Sequence, residues 1–310
     1  MKKKKVKNFK KIVIMLFLVL SLTGCTTILK DKDGKAVQNK TTGQNLTKNI
    51  LCQPSEKETI KLYKQNKVDI DKLPKCSEMK VLSGNYEGIW TTIFVKPLAW
   101  VIIQIGELLK NYGLAIIVTT LLIRLITMPF TKKAALQSEN LKKAQPELER
   151  LEKKYKDKTD QNSMLLKNQE MLGIYKKYEI NPMSSCLFSM LQIPLFFAFY
   201  EAMNRLPSIF ESNFIGFQLG TTPVTGLSQG NYIYILIIVL VILTSYFSFK
   251  LNSGASMSED QAKQMKMMTN FMTIFIGIAA LTLSAGIAIY WIINSSFTIL
   301  QNLLVKRRKA

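Results

Sequence analysis

From residue 112 onward, five apolar runs divide the chain: 112–130, 183–203, 232–249, 268–284 and 286–304. Each is long enough to cross roughly 30 Å of hydrocarbon as a helix. Ahead of them, Phe94, Leu98, Val101, Ile105 and Leu108 recur at helical spacing, while Lys96, Gln104, Glu107 and Lys110 take the other side. That pattern predicts an amphipathic helix over 97–111. Pro97 suits its first turn, where the missing N–H would have no acceptor. Trp90 and Trp100 fit an interface, with the ring half-buried and the N–H in water. The helix is therefore expected to lie on the bilayer surface; its charges and Gly106 weigh against a sixth span.

Between the first two runs, residues 131–182 show a different pattern. Leu141, Ala144, Leu148, Leu151 and Tyr155 step by three and four. After KDKTDQN, a second stripe holds Met164, Leu165, Met171, Leu172, Tyr175 and Tyr178. Two amphipathic helices about a polar turn predict an antiparallel hairpin whose stripes hold its arms together. Pro146 is expected to kink or restart the first arm. The fold class is an all-α polytopic membrane protein with five spans, a surface helix and a helical hairpin.

Charge sets the direction of the spans. The loop 131–182 carries eleven Lys and Arg150, the loop 250–267 has Lys250, Lys263 and Lys266, and the tail 305–310 is basic. The loop 204–231 has only Arg205. Basic loops stay inside, so the N-terminus is expected outside and the C-terminus in the cytoplasm. The net charge of +21 over 310 residues thus belongs to a membrane protein, and sequence-specific nucleic-acid binding is not expected. The absence of histidine excludes HExxH zinc proteases and Ser-His-Asp or Cys-His hydrolases. No GxxxxGK[ST] loop indicates a nucleotide motor. No metal or cofactor is implied, and the chain is not read as an enzyme.

At the N-terminus, seven lysines precede the nine-residue run IVIMLFLVL and then SLTGC. The run is too short for a span and fits a secretory signal. LTGC resembles the bacterial lipoprotein box, so residues 1–24 are expected to be removed and Cys25 lipidated. Residues 25–96 then form an extracytoplasmic tether, polar and without periodicity over 26–89. Its Cys52 and Cys76 form either one disulfide or two free thiols.

Arg124 sits inside LLIRLITMPF, where a charge costs roughly 2.5–3.5 kcal/mol on insertion scales and must face protein or water. Thr120, Thr127 and Thr131 share its face. The second span offers Ser185, Ser189 and Gln192, and the last offers Trp291, Asn294, Ser295, Thr298 and Gln301. None of the five runs contains Asp, and Glu201, near the outer end of the second, is their only Glu. Such an arginine implies a wet cavity or an anionic visitor; the competing reading has it bonded to helix carbonyls as glue.

The stretches GIWTTIFVKPLAW, LLIRLITMPF, QPELERLEKKYK, INPMSSCLFSMLQIPLFFAFY and GIAIYWIINSSFTILQN together resemble the YidC-type membrane-protein insertases and their mitochondrial and chloroplast relatives. They run in the family's order across 84–304, with the insertase core at 112–304. The lipoprotein signal resembles the Gram-positive form. The resemblance implies a hydrophilic groove, open to the cytoplasm and lipid, in which Arg124, Gln192 and Trp291 match the family's arginine, glutamine and tryptophan. Thr120, Thr127 and Ser189 would line it. Ser185 stands where the family often has glycine, which bears on packing of the second span. The implied partners are nascent membrane proteins, the Sec translocon, the ribosome and the lipid bilayer, with no cofactor. A channel or solute transporter is the alternative class, but the paired charges, broken helices or inverted repeats it predicts are not found. An intramembrane protease lacks histidine and paired intramembrane aspartates.

Overall fold

The computed structural model describes residues 26–158, 160–252 and 259–307; the side chains of 182–191, 252, 259–262, 264 and 265 fall outside the description. The signal segment 1–24 and Cys25 lie outside the described residues. The chain forms two compact units. The first takes the chain up to Thr119 with Ile193–Tyr234 and Leu283–Ile289; the second takes Thr120–Gln192, Ile235–Thr282 and the chain from Tyr290.

In the first unit, residues 26–89, polar and aperiodic in sequence, are packed. Single antiparallel bridges join Ile28 to Thr47, Lys30 to Ala36 and Gln38 to Asn45. The Asp31 side chain accepts from the Asp33 and Lys35 amides, and the Asn39 side chain from the Thr41 amide, closing two tight turns. Leu29, Val37, Leu46, Ile50, Tyr63, Ile70 and Phe210 form one apolar cluster. Bridges of single residues between turns leave no run long enough to show a period, so the sequence reads as polar and aperiodic.

Helix α1 (Lys57–Gln65) turns Thr59 and Tyr63 inward, and the Tyr63 hydroxyl donates to the Thr47 carbonyl at 2.8 Å. The Glu211 carboxylate accepts from the Ser55 amide at 2.8 Å and the Glu56 amide at 3.2 Å, satisfying donors at the helix start. Cys52 and Cys76 are disulfide-bonded across a separation of 24 residues.

A π-helical turn (Thr91–Val95) leads into α2 (Lys96–Leu109), with Pro97 in its first turn. Its buried face is Leu98, Ala99, Ile102, Ile103 and Gly106, while Ile93, Phe94, Trp100 and Leu108 are exposed. The expected apolar stripe is thus split, because both sides of this helix are apolar. Trp90 departs from the interfacial expectation: it is buried, and its indole N–H donates to Glu201 Oε1 at 2.9 Å. Arg205 is wholly buried beside it. Its Nε donates to the Asn49 carbonyl at 2.6 Å, and its guanidinium pairs with Glu87 and lies 3.8 Å from Glu201. Lys96 Nζ donates to the Ser83 and Asn85 carbonyls at 2.7 and 3.0 Å.

Helix α3 (Tyr112–Lys154) runs unbroken for 43 residues, with Pro129 and Pro146 inside it. The first expected span and first hairpin arm are one helix. Apart from Pro146, the stretch from Lys132 to Lys154 is built mostly of good helix formers, and Pro146 neither ends nor restarts it. Helix α4 (Gln161–Lys177) begins at the Asp160 cap, whose carboxylate accepts from the Ser163 amide at 2.8 Å. Lys154 pairs with Glu170 at 2.7 Å and Lys167 with Glu152 at 2.7 Å, while Lys177 pairs with Glu147. Ala144, Leu148, Leu151 and Tyr155 are buried on α3, but no α4 residue is; Met164, Leu165 and Leu172 are exposed. The second stripe is therefore less buried than the first.

Helix α5 (Pro182–Arg205) leads to α6 (Pro207–Phe210), then to a two-strand turn of β1 (Asn213–Phe214) and β2 (Phe217–Gln218). Gly216 supplies the positive φ of 81° that this turn needs. Helices α7 (Pro223–Ser228), α8 (Tyr234–Asn252), α9 (Glu259–Thr282) and α10 (Ala285–Arg307) complete the chain.

Among the described residues, four helices are long and apolar enough to cross a membrane: Thr91–Leu109, Tyr112–Lys154, Tyr234–Leu251 and Ala285–Arg307. Lys266–Thr282 is apolar but shorter.

Candidate functional site

The candidate groove residues with described side chains all belong to the second unit. Arg124 enters from α3, two turns before Thr131. It is 3% exposed. Its Nη2 donates to the Asn294 carbonyl and to Thr298 Oγ1, both at 3.0 Å. The guanidinium carbon lies 5.9 Å from the centre of the Phe297 ring. Its Nε has no acceptor, and no carboxylate pairs with the arginine, among the described residues. A full positive charge is thus held by neutral oxygens and a ring face. Neutral acceptors orient the group but leave its charge uncancelled.

Trp291, Asn294, Thr298 and Gln301 stand at i, i+3, i+7 and i+10 on α10, which puts them along one face. That face meets α3 at two levels: Arg124 bonds to Asn294 and Thr298, and Thr131 bonds to Gln301, with side-chain distances of 2.7 and 3.0 Å. Trp291 reaches another helix, its indole N–H donating to Ser245 Oγ on α8 at 3.0 Å. Gln192, half-buried in the middle of α5, faces the buried Tyr290 hydroxyl, which also feels the Arg124 charge.

The sequence-based site residues therefore separate. Arg124, Gln192 and the α10 face come together. Thr120 is buried, but the Thr127 hydroxyl bonds back to the Ile123 carbonyl of its own helix at 2.8 Å. The side chains of Ser189 and Ser185 fall outside the described residues, as does Cys25. Tyr290 and Ser245 were not foreseen. A tyrosine beside Trp291 reads as packing, and a serine in an apolar run carries no charge to mark it. No group of three or more His, Cys, Asp or Glu side chains able to hold a metal occurs among the described residues.

The family described as the 60Kd inner membrane protein matches residues 104–310. The chain belongs to this family. "Membrane protein insertase YidC" of Oceanobacillus iheyensis is 36% identical over 244 residues, covering 76% of this chain and 91% of that relative. "Membrane protein insertase YidC 2" of Bacillus anthracis is 36% identical, covering 74% and 87%. "Membrane protein insertase MisCA" of Bacillus subtilis is 32% identical, covering 76% and 86%. A crystal structure of an active YidC insertase aligns with a TM-score of 0.49 and 25% identity, over 78% of this chain and 52% of that one. The chain thus spans about half the length of that crystallised chain. As a member of the YidC insertase family, a non-enzymatic class, it is a multi-pass protein of the cell membrane.

Proposed function

We propose that this YidC-family protein inserts small membrane proteins through a polar groove centred on Arg124. The observation that carries the reading is a buried arginine held by neutral oxygens with no acidic partner among the described residues. An uncancelled positive charge in partly dehydrated surroundings attracts an acidic extracytoplasmic tail more strongly than it would in water. The tail then crosses only part of the bilayer, while the substrate's apolar segment moves sideways into lipid and supplies the driving free energy. A potential positive outside favours an acidic tail by about 2.3 kcal/mol per charge per 100 mV. Gln192 and Trp291 line the same groove in this reading, with Thr120, Thr127 and Ser189.

The arrangement we propose around it has five spans, with α5 and α9 among them and 97–111 along the outer face. The α3–α4 arms and the basic tail lie in the cytoplasm, where they meet the ribosome or the Sec translocon. The mature N-terminus lies outside, anchored by a lipid on Cys25.

A second reading is favoured by the bonds from Arg124 to Asn294 and Thr298: the arginine is only glue between α3 and α10. Insertion into liposomes by Arg124 variants separates the two. Arg124→Lys is expected to retain activity and Arg124→Ala to lose insertion of acidic-tailed substrates while staying folded. Neutralising the substrate's acidic residues should reduce its dependence on Arg124. Normal insertion of acidic-tailed substrates by Arg124→Ala would leave only the glue.

A further inference from the structure

Hydroxyls on the helices of the second unit commonly turn back on their own backbone. Thr127 donates to Ile123, Thr244 to Leu240 and Thr273 to Thr269, each at 2.7–2.8 Å. That is the usual way a membrane helix satisfies a hydroxyl. Ser245, one residue after Thr244, does something different. It is 1% exposed, and its oxygen accepts the Trp291 N–H from α10 at 3.0 Å.

We propose that Ser245 is a positioning residue for insertion, holding the Trp291 indole by its N–H so that the ring meets a passing apolar segment by apolar contact alone. The inference rests on the reading of Trp291 as a groove residue. An indole N–H can only donate, and in apolar surroundings it must have an acceptor. With Ser245 in place that acceptor is internal. The ring then offers its faces and edge, contacts that form and break without exchanging a hydrogen bond. Without Ser245 the N–H turns to the carbonyls or carboxylates of the chain passing by. Where water is scarce such a bond is strong, and the chain is retained. The same bond fixes where the ring stands, and Trp291 shares its face of α10 with Asn294 and Thr298, the two residues that hold Arg124. Ser245 thereby sets the aromatic surface beside the charge.

The test uses the full chain in liposomes with Ser245→Ala and Ser245→Thr. Indole hydrogen bonding is read as a difference resonance Raman spectrum, in which the unaltered Trp90 and Trp100 cancel. Release of a photo-crosslinkable single-span substrate is followed over time. Ser245→Ala is expected to weaken the indole bond signature and slow release about five-fold, the equivalent of one ordinary hydrogen bond. Ser245→Thr should restore both. In a Trp291→Phe background, Ser245→Ala should have no further effect on release, because the N–H on which it acts is gone. An unchanged indole signature, or unchanged or faster release in Ser245→Ala, overturns the proposal. If Trp291→Ala itself inserts and releases normally, the groove reading of Trp291 has failed and the positioning role falls with it. If Trp291→Ala is impaired while Ser245→Ala is normal, only the positioning role is lost.

Discussion

Arg205 and Glu87, Glu201 and Asn49 show how much a single guanidinium can hold. Replacing Arg205 by Ala leaves the buried Glu201 carboxylate without its neighbouring charge and the Asn49 carbonyl without its donor. Breaking a buried pair from one side costs about 3–5 kcal/mol. The expected result is rapid proteolysis within 26–89 under conditions where the parent protein resists; equal resistance would refute it. Glu56 is a milder case. Burial first, then the Glu211 and Glu58 charges, push its carboxyl above the usual range. The folded state therefore binds this proton more tightly, and its ionisation at neutral pH works against folding. Glu56→Gln is expected to raise the melting temperature of the first unit at pH 7, with the gain vanishing below about pH 4, where Glu56 is protonated folded or unfolded. At this scale the sequence revealed what is rare and costly. Arg124 stood out because charge does not belong in an apolar run. Arg205 read as a loop charge, and Ser245 and Tyr290 left no mark, since their roles depend on which neighbour arrives from another helix.

The stripe of Ala144, Leu148, Leu151 and Tyr155 on α3 was legible, but the continuity of α3 through residue 130 was not. Hydropathy changes at residue 130 while the backbone does not, so composition suggested an end where helix propensity continued through. Three ion pairs link the arms beside the buried α3 stripe. Asp160, Glu147 and Glu170 have carboxyls held below their ordinary range: Asp160 by the Ser163 amide, Glu147 by Lys177 and Tyr178, and Glu170 by Lys154 and Tyr155. Depressed values stabilise the folded arms above the unfolded carboxylate range, and that contribution is lost as pH falls through the folded values. Amide exchange over 161–177, corrected for intrinsic rates, should stay flat from about pH 8 to 5 and rise below about pH 4. At the far end, the Gln137 side chain donates to the Glu179 carbonyl at 3.2 Å and accepts from the Asn181 amide at 2.6 Å. Glu179 adopts a left-handed φ of 53° there. Gln137→Ala should speed exchange at Asn181 and leave 161–170 unchanged.

Across the whole molecule, the apolar runs gave the membrane class and the order of the helices, because length against bilayer thickness is a strong signal. The segment 26–89 was illegible: its core is assembled from isolated positions such as Leu29, Val37 and Leu46, with Phe210 from far along the chain. The Cys52–Cys76 link closes a loop of 24 residues, for which chain entropy suggests about 3 kcal/mol. Reduction should lower the melting temperature of this segment, read by its proteolysis, without changing exchange in 161–177. Labelling of single cysteines tests the direction of the chain, with position 160 expected to react only from the cytoplasm and position 225 only from outside. The unbroken helix Tyr112–Lys154 has one more consequence. At 1.5 Å per residue its 43 residues form a rod of about 65 Å, of which about 36 Å lies beyond Phe130. Spans tilt by about 20° on average, and over that reach such a tilt displaces the helix end sideways by about 12 Å. A thinner or thicker bilayer would thus be felt at Lys154 as a change of position, making lipid composition an input to wherever the arms dock.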